Sequence, residues 1–184
     1  FVWTVTNPTP IAQDDNFSVN ENGTISGNVL ANNGNGADSD PDGDTFAVTA
    51  VAGGAGNVGN ATAGSNGGLF TINSNGTLSF QPNGNFDYLA LGQSATTTIS
   101  YTLTDANGAT DTAMVSVLVN GLNDAPVAVG VIAAQSGVDS STVTLNVSPF
   151  FTDPDTSNVL TFSAGTTLPA GLSINPTTGV ISGT

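Results

Sequence analysis

Four carboxylates crowd into seven residues at Asp38-Ser39-Asp40-Pro41-Asp42-Gly43-Asp44. Charges this close repel one another unless they are solvated, protonated or bridged by a cation. The chain has no basic side chain to neutralise them: its 184 residues include no Lys, Arg or His, and 14 acidic residues give a formal net charge of −14. The donors on hand are carboxylate, amide and backbone carbonyl oxygens, which is the set that calcium and other hard divalent cations take. A shorter version of the motif recurs as Asp153-Pro154-Asp155. The competing reading is a solvated turn, because Asp, Pro and Gly all form turns. The recurrence weighs toward calcium. Asp38-x-Asp40-x-Asp42-Gly43 also matches the opening of an EF-hand loop. The match then fails, since Thr49 stands where that loop needs a bidentate Glu and no flanking helix is expected.

The same composition removes whole classes of chemistry. With no Cys and no His there is no disulfide and no thiolate or imidazole metal site. The usual general bases and activated nucleophiles are missing. A lysine–asparagine crosslink cannot form. Nucleic acid is excluded as a partner, because binding its phosphates needs cations. A glycosidase would need two opposed carboxylates, and clustering for a metal accounts better for the Asp pairs. The chain reads as non-catalytic. No apolar run approaches the length of a membrane span, so membrane insertion is not expected. So acidic a surface suits a cation-rich medium outside the cell, where salt screens the charge. Phe1 is not a natural start, so the chain is expected to be a piece of a longer one.

These loops must be held by strands. Ile99, Tyr101 and Leu103 alternate with Ser100, Thr102 and Thr104, and Ala113, Val115, Val117 and Val119 alternate with more polar partners. Ala106-Asn107-Gly108 between the two runs is a hairpin signal. Val143, Leu145 and Val147 repeat the alternation downstream. Short strands with Asn-Gly turns between them predict an antiparallel sandwich. Single helical turns are expected at Val29–Ala31 and Tyr88–Leu91. Residues 52–68 have few large side chains and read as a surface loop or weak edge strand. Tyr101 and Trp3 fall in strand-like stretches, so these aromatics and Tyr88 are expected in the core rather than as a sugar platform. Five Asn-x-Ser/Thr sequons, at Asn16, Asn22, Asn60, Asn75 and Asn146, read as chance in a chain this rich in Asn and Thr.

Internal echoes organise the chain. Asn7-Pro8-Thr9-Pro10-Ile11-Ala12 returns as Asn123-Asp124-Ala125-Pro126-Val127-Ala128, and each copy follows an apolar alternating stretch. Gly68-Leu69-Phe70-Thr71-Ile72-Asn73 returns as Gly171-Leu172-Ser173-Ile174-Asn175. Residues 1–9 are therefore read as the last strand of a preceding repeat plus a linker. Residues 10–123 form one sandwich, and 124–184 a partial second one that lacks the forty residues following the hairpin in the first.

The run from Tyr101 through Asp105, Gly108, Val115 and Val119 to Asn123-Asp124-Ala125-Pro126-Val127 resembles the end of a VCBS or bacterial cadherin-like repeat. Ala12-Gln13-Asp14-Asp15-Asn16-Phe17-Ser18-Val19-Asn20-Glu21, continuing to Val29-Leu30-Ala31-Asn32, is similar to its start. The segment Asp38 to Thr49 resembles its Asp-rich loop. Phe150-Phe151-Thr152-Asp153-Pro154-Asp155 and Leu168-Pro169-Ala170-Gly171 through Gly179-Val180-Ile181-Ser182-Gly183-Thr184 resemble the dystroglycan-type cadherin-like, or Ig-type, domain. The resemblance implies an all-β fold: tandem Greek-key Ig/cadherin-like β-sandwiches, the second truncated. It also implies Ca2+ shared between consecutive domains. On this sequence one junction would use Glu21, Asn123, Asp124, Asp153 and Asp155. The other would use Asn7, Asp38, Asp40 and Asp105, with Asp42 or Asp44 completing a local site. Asn7-Pro8 stands where the family has Asn-Asp, which removes one carboxylate there.

The function so implied is a secreted, non-catalytic extracellular repeat, a calcium-rigidified spacer of a large bacterial surface adhesin or biofilm matrix protein. Its partners would be neighbouring repeats of the same chain and other copies in a fibre or matrix. Two alternatives stand beside it: a self-assembling filament, sheath or surface-layer subunit that exchanges strands between chains, and a carbohydrate-binding module.

Overall fold

Alternating apolar residues are what turn this chain into sheets, and the computed structural model shows which faces they bury. It describes residues 1–3, 6–138 and 140–184. The chain forms two compact units, Phe1–Leu122 and Asn123–Thr184. Unit 1 contains β1 (Asp15–Asn20), β2 (Ile25–Asn28), β3 (Phe46–Val51), β4 (Thr62–Ala63), β5 (Leu69–Ile72), β6 (Thr77–Gln81), β7 (Ser94–Asp105) and β8 (Thr110–Asn120). One sheet runs β1-β8-β7-β3 and the other β2-β6-β5-β4.

The two long strands β7 and β8 supply most of one inner face. Ile99, Tyr101, Leu103, Val115, Val117 and Val119 are buried, as are Phe70, Ile72, Leu78 and Phe80 of the second sheet. The Phe70 and Phe80 rings pack tilted, with centroids 4.5 Å apart. Each such side chain contributes about 1.5–3 kcal/mol on burial. A one-residue slip would turn the whole set outward, so the pattern also sets the register. The β7–β8 hairpin closes where Gly108 takes φ +93°, a conformation that L side chains rarely adopt.

Not every ladder is antiparallel. β1 pairs with β8 in parallel, from Asp15 opposite Val115 to Asn20 opposite Asn120. The physical reason is the path of the chain. It enters unit 1 at the end that carries the β7–β8 turn, where Asn7 binds Asp105. It leaves beyond Asn120 at the other end, so the first and last strands point the same way. The eleven residues of β8 span about 35 Å between the two.

Other expectations fare unevenly. Val29–Ala31 and Tyr88–Leu91 form hydrogen-bonded turns rather than helical ones. Residues 52–68 hold a 3-10 turn at Ala55–Asn57 and the short edge strand β4. Tyr101 is in the core, but Trp3 is 88% and Tyr88 44% exposed, which corrects the core assignment of both. Of the strand expected at Phe1–Thr6, Phe1–Trp3 are irregular and exposed, and Thr4 and Val5 lie outside the described residues.

Unit 2 contains β9 (Val127–Ala128), β10 (Val143–Asn146), β11 (Phe151–Thr152), β12 (Leu172–Ile174) and β13 (Val180–Gly183). Its sheets are β10-β13-β12 and β9-β11. The sequence echoes are structural ones. Ile11 bridges Ser39 in unit 1, and Val127 pairs with Thr152 in unit 2. The antiparallel trio β2-β6-β5 is repeated by β10-β13-β12. Asn28 Oδ1 accepts the Leu30 N–H as Asn146 Oδ1 accepts that of Ser148. The Val29 N–H donates to the Gly76 carbonyl, and the Val147 N–H to that of Gly179.

Candidate metal centres

At the entry end of unit 1 the β7–β8 turn, the Asp loop and the incoming linker are joined by carboxylates and amides. Asp105 Oδ1 accepts from the backbone N–H groups of Asn107 and Ala109, both at 2.9 Å. Its Oδ2 accepts from Asn7 Nδ2 at 2.7 Å. Asn107 Nδ2 donates to Asn7 Oδ1 at 2.8 Å and also to Asp44 Oδ2. In the loop, Asp40 Oδ1 accepts from the N–H groups of Asp42 and Asp44, both at 3.1 Å. The structure thus gathers Asn7, Asp40, Asp42, Asp44 and Asp105, together with Asn107, which sequence reasoning read only as a turn residue.

The electrostatics of this cluster are those of crowded anions. The carboxyls of Asp40 and Asp42 abut, and this contact raises the pKa of Asp42 and lowers that of Asp40. Desolvation works against the charge on Asp105. Hydrogen bonds from Asn7 and the backbone of Ala109, Asn107 and Gly108 outweigh it and hold that carboxyl below its usual range. Asp40 Oδ2 is buried and has no hydrogen-bond partner.

Asp38 sits elsewhere. The Ile11–Ser39 bridge draws the start of the loop back over the sandwich. Asp38 Oδ1 there accepts from the Gln13 N–H at 2.7 Å and Oδ2 from the Tyr101 hydroxyl at 2.9 Å. Burial raises its carboxyl pKa. Asp15 lies in the same polar pocket, only 1% exposed. Asn33 Nδ2 donates to its Oδ1 at 2.8 Å, and its Oδ2 is without a hydrogen-bond partner. Desolvation, with smaller contributions from the charges of Asp38 and Asp14, lifts Asp15 to about 6. The sequence carried a signal for this residue: Asp15 shares the inward face of β1 with Phe17 and Val19.

At the exit end of unit 1 Glu21 is buried, and its Oε1 accepts the Leu122 N–H at 2.7 Å. The Glu21 N–H in turn donates to the Asn120 carbonyl at 2.9 Å. Glu21 thereby fixes the backbone as it leaves β8.

Within unit 2 the linker and the second Asp loop are tied together. Asp155 is 1% exposed. Its Oδ2 accepts from the Asp124 N–H at 3.1 Å and from Asn158 Nδ2 at 2.8 Å. Asp153 Oδ1 accepts the Asp155 N–H at 3.0 Å. Asn123 Nδ2 donates to the Asp124 carbonyl at 3.0 Å. Asp155 Oδ1 is buried with no hydrogen-bond partner.

Among the described residues no three acidic side chains stand close enough together to hold a metal by themselves. A cation here would take carbonyl or water oxygens as well, which calcium commonly does. The donor chemistry fits. Asp40 Oδ2 and Asp155 Oδ1 are buried carboxyl oxygens without a hydrogen-bond partner, and the Asp and Asn side chains around them offer hard oxygen ligands.

Comparisons with known proteins identify the two domains. The "Bacterial cadherin-like domain" family matches residues 7–121, and the family described as "Putative Ig domain" matches residues 125–184. No curated protein matches the chain. Among solved structures, it is similar to a nucleoside hydrolase-related hypothetical protein from Saccharophagus degradans that is described as associated with carbohydrate metabolism. That likeness covers 62% of this chain and 26% of the other, at 19% identity and a TM-score of 0.37. The chain spans about a quarter of that protein's length, and so slight a likeness carries no argument. No helix among the described residues is long and apolar enough to cross a membrane. With its family model covering well over half of the residues, the chain belongs to the bacterial cadherin-like domain family, followed by an Ig-type domain.

Proposed function

We propose that this protein is a non-catalytic extracellular spacer, a repeat module of a large bacterial adhesin or biofilm matrix protein that calcium stiffens. One observation carries the reading. The two Asp loops each bury a carboxylate oxygen, Asp40 Oδ2 and Asp155 Oδ1, with no hydrogen-bond partner, in a chain that has no basic side chain. Burying an uncompensated charge is costly, and a divalent ion removes that cost.

The rest of unit 1 suits the role. The chain runs through it from end to end, because β1 and β8 are parallel. Carboxylates tie both ends: Asp105 binds Asn7 on entry and Glu21 binds the Leu122 backbone on exit. Asp40, Asp42, Asp44 and Asp105 would hold calcium at the entry end, and Asp153, Asp155, Asp124 and Asn123 in unit 2. Calcium supplies positive charge and oxygen coordination. The Asn and backbone N–H groups pre-orient the carboxylates that receive it.

Extracellular calcium modules bind with dissociation constants of about 10⁻⁴ to 10⁻³ M. At about 10 mM calcium, mass action then stabilises the fold by roughly 1.4–2.7 kcal/mol per site. The test is differential scanning calorimetry of the whole chain in calcium and again in excess chelator. The spacer reading expects melting several degrees higher in calcium, together with slower proteolysis. Identical melting and digestion in the two buffers would overturn it.

A further inference from the structure

Eight Asn-Gly pairs lie along the chain, all of them in unit 1. Such a pair carries its own reaction. The glycine nitrogen, having given its proton to solvent, attacks the asparagine Cγ. The Cγ–Nδ2 bond breaks, ammonia leaves with the returned proton, and a five-membered succinimide closes. Water opens that ring at either carbonyl and leaves aspartate or isoaspartate. No oxidant, metal or second protein is needed. The fold decides whether the glycine N–H is free to lose its proton and reach the side chain.

In seven pairs that N–H is already committed. Gly23 donates to the Asn20 carbonyl at 2.8 Å, Gly67 to that of Gly64 at 3.1 Å and Gly76 to that of Asn73 at 2.9 Å. Gly108 donates to the Asp105 carbonyl at 3.3 Å and Gly121 to that of Gln93 at 2.9 Å. The N–H groups of Gly34 and Gly36 share Asn32 Oδ1, at 3.1 and 3.2 Å. Several of the asparagine amides are engaged too. Asn35 donates to the Asp14 carbonyl, Asn66 to that of Thr96, and Asn107 to Asn7 Oδ1.

Asn83-Gly84 differs. It lies just past β6, and both residues have positive φ, +56° and +70°. Two such residues in succession form a type I′ turn. The Asn85 N–H closes it by donating to the Pro82 carbonyl at 3.1 Å. The N–H of the second central residue points out of such a turn, and that of Gly84 meets no acceptor among the described residues. Asn83 is exposed. A Cβ on Gly84 would meet only Asp87 Oδ2, at 3.5 Å, so the space beside the turn is open.

We infer that Asn83 is a site of spontaneous modification, converting to aspartate and isoaspartate ahead of the other seven Asn-Gly pairs. Asn83 and Gly84 line a cleft of about 250 Å³ together with Glu21, Thr24 and Gln81. Conversion therefore adds a carboxylate to the cleft that Glu21 lines, and isoaspartate also lengthens the backbone of the turn. Neither calcium nor the spacer role enters this inference.

The test follows deamidation of the whole chain at mildly alkaline pH, folded in buffer and unfolded in concentrated urea. Trypsin has no site in a chain without Lys or Arg, but chymotrypsin cuts after Phe80 and Phe86 and isolates Asn83 in a short peptide. Tandem mass spectrometry then reads the amide-to-acid mass gain at each asparagine over time. In the folded chain Asn83 should convert at least about fivefold faster than each of the other seven, which must first break a hydrogen bond. In urea the eight rates should draw together. Three results would overturn the inference: another Asn-Gly pair converting first in the folded chain, Asn83 staying intact there, or an equal lead for Asn83 in urea. The last would mean that its sequence neighbours, not the fold, set the rate.

Discussion

Asp15→Asn should stabilise unit 1 at neutral pH. In the unfolded chain Asp15 ionises at its ordinary value of 3.8, whereas in the folded unit burial lifts it to about 6. Between those values the folded unit holds a proton that the unfolded chain has released. Stability contributed by this group is therefore full below about pH 4 and is lost as pH rises through about 6. At pH 7 the buried carboxylate bears the whole cost, whose ceiling is about 3 kcal/mol at 1.36 kcal/mol per tenfold change in proton affinity. The amide keeps an Oδ1 acceptor for Asn33 but places two N–H donors where Oδ2 has no hydrogen-bond partner. We therefore expect about half of the ceiling, roughly 1–2 kcal/mol. For a unit of this size that raises the melting temperature by about 3–10 °C. Calorimetry in chelator at pH 7 and at pH 4.5 reads it. The gain should be present at pH 7 and mostly gone at pH 4.5. Destabilisation at pH 7, or an equal gain at both pH values, would refute the reasoning.

Three other substitutions probe the same framework. Tyr101→Phe removes the hydroxyl that donates to Asp38, leaving a buried carboxylate with one donor fewer. It should cost unit 1 about 1–3 kcal/mol in urea denaturation. Gly121→Ala places a Cβ 2.3 Å from the Leu89 carbonyl oxygen and 2.5 Å from that of Ala90. Backbone cannot yield as a side-chain tip does, so a loss of about 1–3 kcal/mol is expected by the same measurement. Asp40→Asn relieves the abutting carboxyls of Asp40 and Asp42. It should leave the melting temperature in chelator unchanged or higher while weakening calcium binding to unit 1, read by titration calorimetry.

How far the residues announced this fold depends on what kind of physics placed them. The alternation at Ile99–Leu103 and Ala113–Val119 predicted β7 and β8, because local periodicity decides which face is buried. The echoes at Asn7 and Asn123, and at Gly68 and Gly171, marked equivalent parts of the two units. The parallel pairing of β1 with β8 was not legible, since it depends on where a distant strand runs. Asp38 shows the same limit. Its spacing from Asp40 suggested a shared site, but the Ile11–Ser39 bridge places it under Tyr101. Trp3 and Tyr88 look like core residues by type and are exposed, since residue type alone does not decide burial. Asn107 enters the entry-end cluster only because hairpin closure brings it beside Asn7, 100 residues away.

The most direct measurement is a crystal structure grown in about 10 mM calcium, well above the weak affinities such modules show. The account predicts ions bound by Asp40 Oδ2 in the first Asp loop and by Asp155 Oδ1 in the second. Well-ordered carboxylates in both loops, with only water or protons beside those two oxygens, would contradict it.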